Sequence, residues 1–220
     1  MVFAFTLLFR ELPLVGGLFR VPLFGFFLTA ILLSTVGARA AQWIAQRRAL
    51  SRDLADLGIV DTPNMRGKLG RLLLLNGRPR QALEPLSEAL AADETDLEWT
   101  YRLGMARRLV GEAQEATRLL ARVTQVDERY AYGEPWLQLA LCHLDLGKPT
   151  QAVEALERFE RLQGATPQQV FWLGCAIKAS GRKEDARAVF NRLPELVKQA
   201  PKYQRAAARQ FLLRSYLTRL

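Results

Sequence analysis

Four stretches of the chain keep one register, and that repetition constrains the fold more than any other feature. They are "LGRLLLLNGRPRQALEPLSEA" from Leu69, "LGMARRLVGEAQEATRLLARV" from Leu103, "LALCHLDLGKPTQAVEALERF" from Leu139 and "LGCAIKASGRKEDARAVFNRL" from Leu173. Each opens on a leucine and a small residue: Gly70, Gly104, Ala140 or Gly174. Seven residues later each has a glycine (Gly77, Gly111, Gly147, Gly181), and five after that an alanine (Ala82, Ala116, Ala152, Ala186). Four residues further stands Leu86, Leu120, Leu156 or Phe190. Corresponding positions are 34, 36 and 34 residues apart. Four markers holding register over four copies predict a helix-turn-helix unit. The glycine supplies the backbone freedom that ends the first helix, and the small residue and the alanine let two helices approach closely.

The repeats resemble the tetratricopeptide repeat family. The family's W-x-x-L-G pattern is best kept in "WLQLA" from Trp136, and the alanine and the large apolar residue after it match as well. The resemblance covers roughly residues 63–193. It departs from the family where Arg66 stands in place of Trp, and where the closing proline is absent from the repeat ends. Pro194 is expected to end the last repeat helix early. The fold this resemblance implies is an all-α solenoid of about four units with a C-terminal capping helix. It also implies a concave groove lined by the first helix of each unit. Its positions fall on Asn64, Arg71 and Leu74, then Tyr101, Met105 and Arg108, then Glu134, Leu137, Leu141 and Asp145, then Gln168, Phe171, Cys175 and Lys178. An apolar middle with a rim of mixed charge favours an amphipathic helix or an extended peptide with hydrophobic anchors. The alternative is that the protein's own C-terminal helix covers these residues. The family's Lys and Asn clamp for a C-terminal carboxylate is not reproduced, since Gly67 and Arg71 stand at two of its positions.

Composition narrows the function classes. With 31 Lys and Arg against 22 Asp and Glu the chain carries +9, a bias toward acidic surfaces: nucleic acid, anionic lipid or an acidic partner. Two cysteines, Cys142 and Cys175, are too few for a disulfide framework and have no metal-ligand spacing. The lone histidine, His143, adjoins Cys142, yet neighbours on a helix point about 100° apart and cannot act as nucleophile and base. His143 falls where the other repeats have Leu73, Arg107 and Ile177, an interhelical packing site. No Gly-rich phosphate loop, paired carboxylates or metal cluster is evident, so we expect no enzyme, no cofactor, no metal and no small-molecule substrate.

The N-terminus breaks sharply in composition. "VPLFGFFLTAILLSTVGA", residues 21–38, has no charge. As a helix it would run roughly 27 Å, enough to reach across a bilayer core. The lead-in before it is cut by Arg10, Glu11, Pro13 and Gly16-Gly17, which argues against a second span. Arg39, Arg47, Arg48 and Arg52 follow the span, with Trp43 at belt depth, so the positive excess predicts a single-pass inner-membrane protein whose repeats face the cytoplasm. Two alternatives stay open here: a signal peptide cleaved after Ala40, and a buried helix of a soluble fold. The domain reading is therefore a membrane segment over 1–38, a linking helix over 39–61, repeats over 62–194 and a basic capping helix over 195–220.

In that last helix Lys202, Arg205 and Arg209 form a basic stripe, open to an anionic-lipid contact or to a role as a solvated cap. Tyr130 and Tyr132 enter the loop where the repeat spacing lengthens by two residues, either as a contact pair or buried between repeats. The expected function is a membrane-anchored adaptor that binds a protein or peptide partner in its groove, as a scaffold or assembly factor. The alternatives are a basic repeat protein that binds nucleic acid, for which aromatics interleave too sparsely, and an exported soluble repeat protein.

Overall fold

A computed structural model describes Ile31, residues 34–39 and residues 62–219. The chain divides into two units, Met1–Asp56 and Leu57–Leu220. Of the first unit, Ile31 and residues 34–39 are described, as exposed helix. Most of the expected span at 21–38 and nearly all of the expected linking helix at 39–61 lie outside the described residues. Among the described residues no helix is long and apolar enough to cross a membrane.

The second unit is a run of helical hairpins. In order, α1 is Pro63–Leu75, α2 Pro79–Ala92, α3 Leu97–Leu109, α4 Ala113–Val126, α5 Glu134–Asp145, α6 Pro149–Gln163, α7 Pro167–Ala179 and α8 Lys183–Phe190. Two further helices follow, α9 at Leu193–Gln199 and α10 at Arg205–Arg219. Each odd helix from α1 to α7 packs on the even helix after it, and each even helix from α2 to α6 packs on the next odd one. This is the connectivity of an α-solenoid.

Local chemistry sets the helix ends. Thr62 and Thr166 each precede a proline and accept an amide hydrogen bond three residues on, from Met65 (3.3 Å) and Gln169 (3.1 Å). Asp96 caps α3, accepting from the amides of Glu98 (2.7 Å) and Trp99 (3.1 Å). At the other ends, Gly77, Gly111, Gly147 and Gly181 all sit at positive φ, between 67° and 93°. In the first repeat the Gly77 amide donates to the Leu74 carbonyl (3.0 Å) and the Arg78 amide to that of Leu73 (2.9 Å), a Schellman closure.

The remaining markers form the core of each hairpin. Ala82, Ala116, Ala152 and Ala186 are buried, as are Leu86, Leu120, Leu156 and Phe190. The small residue of the first helix lies directly under the large residue sixteen positions later. A Cβ on Gly70 would stand 2.5 Å from Leu86 Cγ, and one on Gly104 3.0 Å from Leu120 Cγ. One on Gly174 would overlap the Phe190 ring.

The chain departs from periodicity at two places. Between α4 and α5 the two extra residues are taken up by a 3₁₀ turn, Tyr130–Gly133, in which Ala131 (φ 47°), Tyr132 (φ 59°) and Gly133 (φ 80°) are all left-handed. A non-glycine residue pays about 1 kcal/mol or more there. Tyr132 is 80% exposed and has little packing to lose. Tyr132→Gly should therefore raise stability by roughly 0.5–1 kcal/mol in urea unfolding. After α8, the expected capping segment 195–220 holds most of α9 and all of α10. Pro201 divides them: Ala200 before it is extended (φ −60°, ψ 141°), as a residue preceding proline prefers. Pro194 falls in the first turn of α9, where its missing N–H costs nothing.

Candidate interaction groove

The first helices α1, α3, α5 and α7 carry the residues expected to line the groove, and the structure sorts them by depth. Leu74, Tyr101, Leu137, Leu141 and Phe171 are buried, between 1% and 8% exposed, and form a floor rather than an open apolar surface. Met105, Arg108, Glu134, Gln168, Cys175 and Lys178 are half-buried, and Asn64, Arg71 and Asp145 are exposed. The accessible groove is thus more polar than the sequence pattern implies.

Its centre, across α3 and α5, is a set of polar side chains fixed by one another. Arg102 Nε donates to Glu98 Oε1 (2.8 Å), and the Tyr130 hydroxyl donates to Glu98 Oε2 (2.7 Å). The Tyr130 ring meets Tyr101 edge-on with centroids 5.7 Å apart, and the Arg102 guanidinium lies 5.5 Å from the Tyr101 centroid. Beside them Arg108 Nε donates to Gln138 Oε1 (3.1 Å), and Gln138 Nε2 donates to Glu134 Oε1 (2.9 Å). These bonds tie α3 to α5 through side chains at groove level. The long-spaced loop serves the same end, because it seats Tyr130 on α3. Its partner Tyr132 points elsewhere and is exposed, so the two tyrosines do not act as a pair.

Burial raises the Tyr101 hydroxyl well above the ordinary phenol range, and the Glu134 charge adds to the shift. Burial works to raise Glu98 too, but the Tyr130 hydroxyl and Arg102 outweigh it and hold the carboxyl below its ordinary value. Burial also raises Glu134, with Gln138 and Arg108 opposing only in part. Glu98, Arg102 and Gln138 were not among the expected groove residues. The 36-residue offset that carries Glu134 onto Glu98 would have found the first of them.

At the fourth repeat the protein's own chain occupies the groove positions. Phe211 of α10 packs on Phe171 with centroids 5.7 Å apart, and seven residues later in both helices the Lys178 ammonium donates to the Thr218 carbonyl. Helix α10 therefore runs alongside α7. In the basic stripe, Lys202 and Arg209 are exposed, whereas Arg205 Nε donates to the Ala200 carbonyl (2.9 Å) and closes the end of α9. The outer side of α10 leaves Leu213, Tyr216 and Leu217 at least half exposed.

Cys142 and His143 form no reactive pair. Cys142 is fully buried between α5 and its neighbours, and burial raises its thiol to about 11. His143 faces a cleft of about 450 Å³ with Trp136 and Leu139, on the side of the hairpin lined by α6. Burial, then the nearby Lys148 charge, lowers its pKa, and its buried Nδ1 has no hydrogen-bond partner among the described residues. His143→Leu should consequently stabilise the protein by about 1 kcal/mol in chemical unfolding, since it removes an unsatisfied buried polar atom from a packing site.

The tetratricopeptide repeat family matches residues 137–203. Among solved structures, MamA is 25% identical with a TM-score of 0.58, covering 69% of this chain and 86% of that one. A MamA fragment from Desulfovibrio magneticus RS-1 is 16% identical with a TM-score of 0.64, covering 76% and 97%. No curated protein is similar enough to match the chain. Over residues 62–219 the chain has a tetratricopeptide-type helical-repeat fold, an architecture whose concave surfaces serve protein–protein interaction.

Proposed function

We propose that the protein is a non-enzymatic scaffold which binds a protein or peptide partner in its concave groove and is held at the inner membrane by residues 21–38, with the repeats in the cytoplasm. The observation that carries the groove is the cross-repeat network of Glu98, Arg102, Tyr130, Arg108, Gln138 and Glu134. Fixed, half-buried polar groups over an apolar floor favour an oriented peptide, because they are positioned before the partner arrives. The uncharged stretch and the arginines after it support the tether. The exposed Lys202, Arg209 and Arg214, with Leu213 and Leu217 also exposed on α10, support a supplementary contact with anionic lipid.

Fractionation of cells carrying a C-terminal tag tests the tether. The reading expects the intact protein to stay in membranes through a carbonate wash and its tag to be digested only after permeabilisation. Release of a shortened soluble protein, or digestion in intact cells, would place the repeats outside and refute the topology.

A further inference from the structure

On the groove side, α5, the end of α6, the start of α7 and α10 enclose a cleft of about 370 Å³. Leu137, Phe159 and Phe211 give it apolar walls, and glutamines 163, 168 and 204 stand at its edges. Among the residues lining it, Glu134 is the one charged group. The volume sits at the low end of small-ligand sites, which hold roughly 300–1,000 Å³, and suits one long side chain rather than a folded element.

Glu134 is only partly compensated by the protein's own groups: the Arg108 charge and the Gln138 hydrogen bond oppose its burial without outweighing it. One carboxylate oxygen accepts from Gln138 Nε2 at 2.9 Å. The nearby arginine, Arg108, directs its Nε to Gln138 Oε1 at 3.1 Å, and among the described residues Glu134 forms no ion pair. A carboxylate withdrawn from water without a direct ion pair costs stability, and burial raises its pKa against the opposing effects of Gln138 and Arg108.

We propose that this cleft is a pocket for one lysine or arginine side chain of the bound partner, a proposal that rests on the groove reading. The aliphatic stem would cover Leu137, Phe159 and Phe211 while the cationic head reaches the Glu134 carboxylate in a charge-assisted hydrogen bond. A purely apolar side chain would fill the walls but desolvate Glu134 further without giving it an ion pair, and an acidic one would be repelled. The pocket therefore discriminates by charge as well as by shape.

The test uses the full chain in detergent micelles and pools of short peptides that share one fixed central residue: lysine, arginine, norleucine or glutamate. Lysine and arginine pools should be retained about tenfold over the norleucine pool, the scale of one charged hydrogen bond. In Glu134→Gln retention of the lysine and arginine pools should fall to within about twofold of that of the norleucine pool, and the thermal midpoint should stay level or rise. Equal retention of all pools by the native protein, or a cation preference that survives Glu134→Gln, would overturn the pocket and leave the groove reading standing. A midpoint several degrees lower in the variant would make Glu134 a structural carboxylate and also overturn it. Retention of no pool at all would end the groove reading, and the pocket with it.

Discussion

Phe190→Ala should cost about 3–5 kcal/mol, the largest loss expected of any single truncation in this fold. Phe190 is 1% exposed and lies over Gly174, with its ring 6.2 Å from that of Phe171. It belongs to one apolar cluster with Leu156, Leu173, Ile177 and Leu193, and Phe211 of α10 packs against the same cluster. Neighbours cannot fill the space it leaves, because the small residue facing it is already a glycine. A solenoid has only nearest-neighbour contacts, so the damage should be local. Amide exchange should speed up over α7 to α10 and remain slow over α3 and α4. Uniform acceleration along the chain would mean instead that the repeats fold as one cooperative unit.

Gly70→Val is expected to destabilise by about 1–3 kcal/mol, toward the upper figure, through the opposite fault. A Cβ at this position would stand 2.5 Å from Leu86 Cγ and 3.2 Å from the Leu86 backbone nitrogen. The leucine side chain could yield, but the backbone could do so only by separating α1 from α2. The geometry also ranks a milder pair: Gly70→Ala should cost more than Gly104→Ala, where the nearest side-chain atom is 3.0 Å away. The third repeat carries Ala140 at this position, opposite Leu156, so a methyl group there is tolerable once the hairpin is spaced for it. Urea unfolding of the three variants checks both the size and the order.

These hairpins were readable from sequence because each marker does a local job that recurs. Gly77, Gly111, Gly147 and Gly181 must turn the chain through positive φ, and Gly70 or Gly174 must clear the large residue sixteen positions on. Periodicity makes such demands visible even where each alone is weak. The C-terminal end was harder, since the placement of α10 rests on Phe171 with Phe211 and on Lys178 with Thr218, contacts forty residues apart that no repeat dictates. The left-handed turn at Ala131 and Tyr132 was hidden for a different reason. Neither residue prefers that conformation, and tertiary packing of Tyr130 on Tyr101 and Glu98 imposes it. At the groove, helical position told which residues face inward but not how deep they lie. Leu137 and Tyr101 are floor, while Glu134, Arg108 and Met105 remain within reach of a partner.

Site-specific photocrosslinking in cells tests the adaptor reading most directly. A benzophenone amino acid at Met105, half-buried in the groove on α3, is compared with one at Gln125, exposed on α4. The reading predicts a discrete adduct from position 105 that weakens when Arg108 and Glu134 are neutralised, and none from position 125. Equal adducts from both positions, or an adduct at 105 indifferent to those charges, would contradict binding through the groove.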